Sequence, residues 1–345
     1  MENDTSGQTC THRSVICILS GTNKQAAVRT GHSFPPLVCL KMELKERRAQ
    51  ATLKEKLSDH YRKREFNPSK RDISSLGVNF FWAMTFSLFI ISQFTLIPNL
   101  FSGWYMVGMI ALVWFTMFET AINWMGMYFG STSYVEKELR AKHFPEATET
   151  PIGWQYCPTC QVDAPPRSFH CSYCNACVLK RDHHCFFSNS CIGFYNQRFF
   201  MIFILYMVWG NLFALYLLIS YLNEFHPITS YYEIFTFFPL VTIAQFLLGY
   251  LSFLNAVVIT QIVLCLLCLA AAIFFLFFEM MLMCKGMTCY EMHKTGPIYD
   301  KGLGDNIRSI FGPIKTIPLQ IICPLFPVDQ QNDGSKWENT RLKGQ

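Results

Sequence analysis

Four long apolar runs limit what this chain can fold into. Three of them contain no Asp, Glu, Lys or Arg, and the fourth contains only Glu119. They cover residues 78–98, 103–128, 199–222 and 234–278. About 20 apolar residues are enough to cross the hydrocarbon core of a bilayer as a helix. The sequence therefore predicts an all-α, multi-pass membrane protein with about four transmembrane helices. The composition agrees, because only 15% of the 345 residues are charged, whereas a soluble domain carries about a quarter.

Lys and Arg are distributed unevenly between the apolar runs. Of the 29 such residues, 14 precede the first run, seven lie in residues 129–198 and eight follow Cys284. The short loops at residues 99–102 and 223–233 contain none. Cytoplasmic segments of membrane proteins carry the excess of Lys and Arg. The N-terminal tail, the central loop and the C-terminal tail are therefore all expected on the cytosolic side.

The run at residues 234–278 is too long for a single span. Its 45 uncharged residues would form a helix of about 67 Å, twice the thickness of the bilayer core. Two complete spans would move the C-terminal tail to the lumenal side. The preferred interpretation is one span near residues 255–283, preceded by an apolar segment at about 234–252. That segment would be re-entrant or lie along the lumenal interface. Five spans are the alternative.

The predicted organisation has five parts. They are a basic cytosolic N-terminal tail (1–74), transmembrane helices 1 and 2 (75–129), a cytosolic cysteine-rich domain (130–198), transmembrane helices 3 and 4 with the extra apolar segment (199–284), and a cytosolic C-terminal tail (285–345).

Seven of the 15 cysteines and three of the nine histidines fall within residues 157–191. They are Cys157, Cys160, His170, Cys171, Cys174, Cys177, His183, His184, Cys185 and Cys191. In the reducing cytosol, such clusters are more often metal sites than disulfide frameworks. The Cys-x2-Cys spacings that begin at Cys157 and Cys171 let two thiolates reach one tetrahedral zinc ion.

Two tetrahedral zinc ions would use eight of these ten candidates, so one cysteine and one histidine should remain. A free Cys–His pair is what nucleophilic catalysis needs. The cluster Asp182-His183-His184-Cys185 offers such a pair, together with a carboxylate to orient the base.

The complete pattern from Cys157 to Phe200 is C-x2-C-x9-HC-x2-C-x2-C-x4-DHHC-x5-C-x4-N-x3-F. It resembles the cysteine-rich domain of the DHHC protein palmitoyltransferases, and the flanking spans extend the similarity over most of residues 75–312. The resemblance implies a small, mostly irregular two-zinc domain between the second and third helices. One zinc would be bound by Cys157, Cys160, His170 and Cys177. The other would be bound by Cys171, Cys174, His184 and Cys191.

The resemblance also implies an activity: ping-pong transfer of a long-chain fatty acyl group, such as palmitoyl, from acyl-CoA to cysteines of target proteins. Cys185 would be the nucleophile, His183 its general base, and Asp182 the carboxylate behind the base. Arg167 is expected to contact CoA phosphates, and Phe187 the proximal part of the acyl chain. The expected partners are the bilayer and proteins with membrane-proximal cysteines, with no nucleic acid, and the expected location is the Golgi or the endoplasmic reticulum.

The sequence departs from the family pattern at several positions. Residues 186–187 are Phe-Phe where most members have Pro-Trp, and the family's Thr-Thr-x-Glu motif reads Thr-Cys-Tyr-Glu at residues 288–291. The Asp-Pro-Gly motif usual after the second span is missing. Asn306 corresponds to the asparagine that braces the domain in the family's C-terminal motif.

Two other functions compete with acyl transfer. A catalytically weak or inactive zinc-binding adaptor of the same fold is the main alternative, although the intact Asp182, His183 and Cys185 argue against it. A membrane-bound RING-type ubiquitin ligase fits less well, because its ligands are more widely spaced.

Overall fold

The computed structural model describes residues 68–130, 134–135, 139–144, 153–227, 229–328 and 333–337. Most of the predicted N-terminal tail, residues 1–67, lies outside the described residues.

The helices of the described part are, in chain order, α1 (Pro68–Ile91), α2 (Ile97–Leu100), α3 (Gly103–Phe129), α4 (Leu139–His143), α5 (Gln197–Phe225), α6 (Pro239–Leu247), α7 (Phe253–Cys284), α8 (Cys289–Lys294), α9 (Leu303–Phe311) and α10 (Ile317–Ile322). A π-helical turn covers Ser92–Leu96, and 3-10 turns cover Tyr231–Phe237 and Ile314–Thr316. The strands are β1 (Gln155–Cys157), β2 (Val162–Ala164), β3 (Phe169–Cys171), β4 (Ala176–Val178), β5 (His184–Cys185) and β6 (Ser190–Cys191).

Four helical segments of the described chain are long and apolar enough to cross a membrane. They are Ser75–Leu100, Gly103–Phe129, Gln197–Phe225 and Phe253–Cys284. The prediction of four transmembrane helices is thereby confirmed, and the chain is an integral membrane protein. In α5, half of the most apolar stretch is buried inside the protein, against 17–33% in the other three. This is because α5 packs against both α3 and α7 and lies at the centre of the bundle.

The first membrane segment is interrupted by the π-helical turn, which joins α1 to α2 just before Pro98. A proline removes one backbone hydrogen bond and crowds the preceding turn, and π turns are a frequent way to accommodate such a break. Leu96 and Ile97 at this junction are completely buried, in a core that also contains Leu218 and Val258. The bend is therefore packed against α5 and α7.

The long apolar run after α5 does not form two spans. It contains the 3-10 turn Tyr231–Phe237, the short helix α6 and then α7. The nine residues of α6 are about 14 Å long, less than half the bilayer core. Gly249 ends this segment with a φ of +79°, a conformation that glycine adopts without strain. The structure thus matches the interpretation with one span and a preceding apolar segment.

The cysteine-rich region between α3 and α5 consists of three antiparallel two-stranded hairpins, β1–β2, β3–β4 and β5–β6. Their closing pairs are Cys157 with Val162, Cys171 with Ala176, and Cys185 with Ser190. The expected region of mostly irregular chain is present between helices 2 and 3, with these short strands as added order.

The chain after α7 folds back onto the membrane helices. Ile310 and Phe311 of α9 share a buried cluster with Met201 and Tyr206 of α5. Asn306 braces this arrangement, because its Nδ2 donates to the carbonyl of Cys284 at 3.0 Å and its Oδ1 accepts from the Lys301 amide at 3.1 Å.

Candidate active site and zinc centres

Each of the three hairpins turns in the same way. A cysteine ends the first strand, and the fourth residue after it has a positive φ: 55° at Gln161, 48° at Asn175 and 47° at Asn189. Asparagine tolerates this conformation better than most residues do. The three cysteines at the equivalent position are Cys157, Cys171 and Cys185, spaced 14 residues apart.

The turn of the first hairpin and the strands of the second bring together the four predicted ligands of one zinc, namely Cys157, Cys160, His170 and Cys177. Their ligand atoms all lie within 4.8 Å of one another. The Nδ1 atom of His170 is 3.2 Å from the Cys160 Sγ and 3.8 Å from the Cys157 Sγ. A tetrahedral zinc with its usual bond lengths would separate its ligand atoms by about 3.5–3.8 Å.

The turn of the second hairpin and the two strands of the third bring together the other four predicted ligands, Cys171, Cys174, His184 and Cys191. The Nδ1 atom of His184 lies 3.8 Å from the Cys171 Sγ and 3.4 Å from the Cys174 Sγ, and the Cys174 and Cys191 sulfurs are 3.6 Å apart. Three thiols and one imidazole form a donor set typical of structural zinc. Both groups could hold a zinc ion.

The two ligand sets have identical spacing. In each, a cysteine is followed by a cysteine three residues later, a histidine 13 residues later and a cysteine 20 residues later. Applied to the third hairpin, which begins at Cys185, this spacing points to Ser188, Arg198 and Leu205. None of these side chains is a usual zinc ligand. Cys185 is therefore the first residue of a third unit that lacks the rest of its ligands, and its thiol stays free.

The free thiol lies next to the predicted base and carboxylate. The Nδ1 atom of His183 is 2.5 Å from the Asp182 Oδ2. The other oxygen of Asp182 accepts a hydrogen bond from the Cys289 backbone amide at 2.7 Å. Cys185 and Asp182 are buried, and the His183 ring packs edge-on against Phe200. The structure thus brings together the three predicted catalytic residues.

The electrostatics of these three groups favour an imidazolium at His183 and a thiolate at Cys185. Burial opposes the imidazolium form of His183, but the hydrogen bond to Asp182 and the neighbouring Cys185 outweigh it and raise the pKa of His183 well above its usual range. Burial likewise opposes the thiolate of Cys185, yet the hydrogen bond with His183 lowers the pKa of Cys185 below its ordinary value. The arrangement suits proton transfer from the thiol to the imidazole.

Cys185 opens into a cavity of about 410 Å³ between the membrane helices. Its polar end contains His183, Glu279 and Cys289, and the rest is mostly apolar and aromatic, including Met84 of α1 and Phe203 of α5. Ligand pockets for small molecules measure about 300–1,000 Å³. The volume and the lining therefore suit an apolar chain whose reactive end meets Cys185.

Of the two residues predicted to contact the substrate, Phe187 lines the cavity and Arg167 is buried elsewhere. Phe187 lines the cavity, is 45% exposed, and its carbonyl accepts a hydrogen bond from the Trp124 indole at 2.9 Å. Arg167 is buried instead. Its guanidinium donates to both carboxylate oxygens of Glu291, at 2.6 and 2.7 Å, and to the Gly286 carbonyl at 2.9 Å. The expected contact between Arg167 and CoA phosphates is therefore corrected: this side chain attaches the second hairpin to the segment after α7.

Three contacts of the site are absent from the predictions. Glu279 of α7 reaches His183 from the membrane side, at 3.9 Å from its Nδ1. Ser190 and Asn196 both donate to the carbonyl of Met127 at the end of α3, each at 3.1 Å. The signal for Glu279 was visible, because it is the single charged residue of α7. The 14-residue repeat of the hairpins was also visible in the cysteine positions.

Residues 150–296 match the family model described as DHHC palmitoyltransferase. The chain is also similar to the probable palmitoyltransferase ZDHHC24 of Danio rerio, with 36% identity over 192 residues that cover 54% of this chain and 63% of the relative. The corresponding protein of Rattus norvegicus is 36% identical over 168 residues, which cover 47% of this chain and 56% of the relative. The matched part thus spans less than two thirds of these curated relatives. The hairpins, the two four-ligand groups and the Asp-His-His-Cys segment all lie within residues 150–296, and the chain therefore carries a domain of the DHHC palmitoyltransferase family.

Proposed function

We propose that this protein is a protein-cysteine S-acyltransferase that transfers a long-chain fatty acyl group, such as palmitoyl, from acyl-CoA to target proteins through an acyl-Cys185 intermediate. The observation that carries the proposal is the free Cys185 thiol, which lies beside His183 and opens into the apolar cavity between the membrane helices. The family of the matched domain supports the same activity.

The first half-reaction acylates the enzyme. His183 takes the proton of the Cys185 thiol, and the thiolate attacks the carbonyl carbon of the acyl-CoA thioester. The bond between that carbon and the CoA sulfur breaks, and the CoA thiolate receives the proton from His183. One thioester replaces another, so the step is close to isoenergetic.

The second half-reaction repeats this chemistry with a target cysteine. The target thiol gives its proton to His183 and attacks the acyl carbon on Cys185. Cys185 leaves as a thiolate and recovers the proton. Asp182 keeps the Nδ1 of His183 protonated throughout, so that the other ring nitrogen faces the thiols. The Cys289 amide in turn fixes Asp182.

The acyl chain would lie in the cavity. Each buried CH2 of a fatty chain contributes about 0.8 kcal/mol, so a long chain gains much more from this cavity than a short one. Phe187 follows Cys185 by two residues and lines the same space, which suits contact with the first carbons.

Two zinc ions would have a structural role here. Held by the two Cys3His groups, they would supply charge compensation for the thiolates and fix the hairpins against each other. The chemistry of acyl transfer itself uses Asp182, His183 and Cys185.

We assign the site to the cytosolic side on the strength of the Lys and Arg distribution. Target cysteines would then lie close to the membrane surface, in proteins that are themselves bound to the bilayer. The Golgi and the endoplasmic reticulum are the compartments in which we expect the enzyme.

The test is self-acylation of the purified full-length chain with an alkyne-tagged palmitoyl-CoA. Wild-type protein should take up a label that hydroxylamine removes, because thioesters are cleaved by this reagent. Cys185→Ala should not take it up, whereas the control Cys323→Ala, which removes an exposed thiol, should behave as wild type. Equal labelling of the Cys185→Ala variant would refute the assignment, and an unlabelled wild type with bound zinc would favour the inactive adaptor.

A further inference from the structure

The last membrane helix, α7, carries one carboxyl group into the active site. Glu279 is the single Asp, Glu, Lys or Arg among the 32 residues of this helix, and only 2% of its surface is exposed. An ionisable residue within a membrane span is costly and usually has a functional partner. The position of Glu279 therefore calls for a specific explanation.

The surroundings of Glu279 point to His183. Its Oε1 atom lies 3.9 Å from the His183 Nδ1. The ligand atoms of Asp182, His183 and Glu279 all lie within 4.8 Å of one another. Its second oxygen, Oε2, is buried and has no hydrogen-bond partner within the described part of the chain. Among the described residues, the polar side chains grouped with the Glu279 carboxyl are therefore Asp182 and His183.

The comparison with Asp182 separates the tasks of the two carboxylates. Both oxygens of Asp182 have a hydrogen-bond partner: one accepts from the His183 Nδ1 and the other from the Cys289 amide. Glu279 approaches the same ring nitrogen from α7, at 3.9 Å, and lines the cavity that also contains Cys185.

We propose that Glu279 is a positioning residue for acyl transfer: a second carboxyl group that packs beside the Asp182–His183 pair from the membrane side and keeps the His183 imidazole in place while Cys185 reacts. This inference rests on the proposed function. It also makes the reaction centre a joint product of the zinc domain, which supplies Asp182, His183 and Cys185, and of α7.

The test measures kcat and KM for palmitoyl-CoA in self-acylation by the full-length protein. Loss of a partner that orients a functional histidine at a metal site typically costs about 10–100-fold in activity, and we expect a loss of this size in kcat for Glu279→Gln, with KM unchanged. Glu279→Asp keeps the carboxyl group and should recover part of the rate. The matched control is Glu119→Gln, because Glu119 is a second buried carboxyl in a membrane helix, α3, away from His183. It should leave kcat unchanged.

Zinc content shows whether each variant is folded, and two ions per chain are expected in all of them. If Glu279→Gln is unstable, Glu279→Asp alone decides, since a wild-type kcat in this variant with its shortened side chain would contradict a role that depends on position. A wild-type kcat in Glu279→Gln, or a change in KM alone, would also overturn the inference. These outcomes differ from failure of the proposed function, in which wild type and Cys185→Ala would be labelled alike.

Discussion

The second and third hairpins have the same backbone turn and opposite chemistry. Cys171 and Cys185 each end the first strand of a hairpin, and the fourth residue after each has a positive φ. Cys171 is surrounded by three further ligands, whereas the positions equivalent to those ligands in the third hairpin are Ser188, Arg198 and Leu205. The turn that presents a thiolate to a metal can equally present a thiol to a substrate. The ligands that follow decide which of the two occurs.

The cysteine pair gives the largest expected difference. Cys185→Ala should abolish self-acylation while two zinc ions stay bound, because this thiol belongs to neither ligand group. Cys171→Ala should lose zinc and much of its folded yield, since metal binding supplies a large part of the folding free energy of a small zinc domain. Self-acylation, zinc content and thermal unfolding of the two purified variants measure these effects. Zinc loss in Cys185→Ala would break the comparison.

The neighbouring residues His183 and His184 allow a second comparison, between a predicted base and a predicted zinc ligand. His183→Ala should keep both zinc ions and slow acylation by about 10²–10⁴-fold, the usual cost of removing a general base. His184→Ala should instead release one zinc ion, because its Nδ1 lies among the three sulfurs of the second group. Single-turnover acylation rates and zinc content distinguish the two. If His183→Ala lost the metal and His184→Ala kept it, the two roles would have to be exchanged.

Phe187, which lies in the turn of the third hairpin, gives a smaller effect on substrate affinity. Phe187→Ala should raise the KM for palmitoyl-CoA by up to about tenfold, since a buried Phe contributes about 1.5–3 kcal/mol and Phe187 is partly exposed. The control is Phe274→Ala on the outer face of α7, where the ring is 63% exposed. An equal rise in KM for both variants would show that Phe187 does not contact the chain.

The smallest effect is expected for Ser188→Cys, which should leave the number of bound zinc ions unchanged. Ser188→Cys recreates a Cys-x2-Cys pair in the third hairpin, but Arg198 and Leu205 still occupy the positions of the other two ligands. Two thiols alone do not complete a tetrahedral site, so the variant should still bind two zinc ions under reducing conditions. A third tightly bound ion would show that the turn alone is enough to select metal over catalysis.

The sequence allowed the four membrane helices to be predicted from a local pattern, because apolar runs longer than the bilayer core can be recognised without knowledge of the tertiary structure. The two groups of four candidate zinc ligands were predicted from the resemblance of the Cys-His pattern to the palmitoyltransferase family, and the structure brings each group together. The short hairpins were not predicted, since strands of two or three residues carry too little alternation to be recognised. Their turns are instead held by the ligand clusters.

The contacts between distant parts of the chain could not be predicted. Arg167 and Glu291 are 124 residues apart, and the basic side chain near the ligands suggested phosphate binding until its buried partner was known. Glu279 illustrates the same limit: the sequence shows a single carboxylate in an apolar helix, but only the packing of α7 against the zinc domain shows that it faces His183.

The shared acceptor at the end of α3 has a consequence for how targets are chosen. Ser190 and Asn196 both bind the Met127 carbonyl, which fixes the third hairpin at the height at which the membrane helix ends. The thioester on Cys185 would then be held at one depth relative to the bilayer. Under the proposed function, a target cysteine would meet it only when its own anchor brings it to that depth, where confinement to a surface raises its effective concentration. The depth of the target cysteine relative to the bilayer, more than the sequence around it, would decide whether it is acylated.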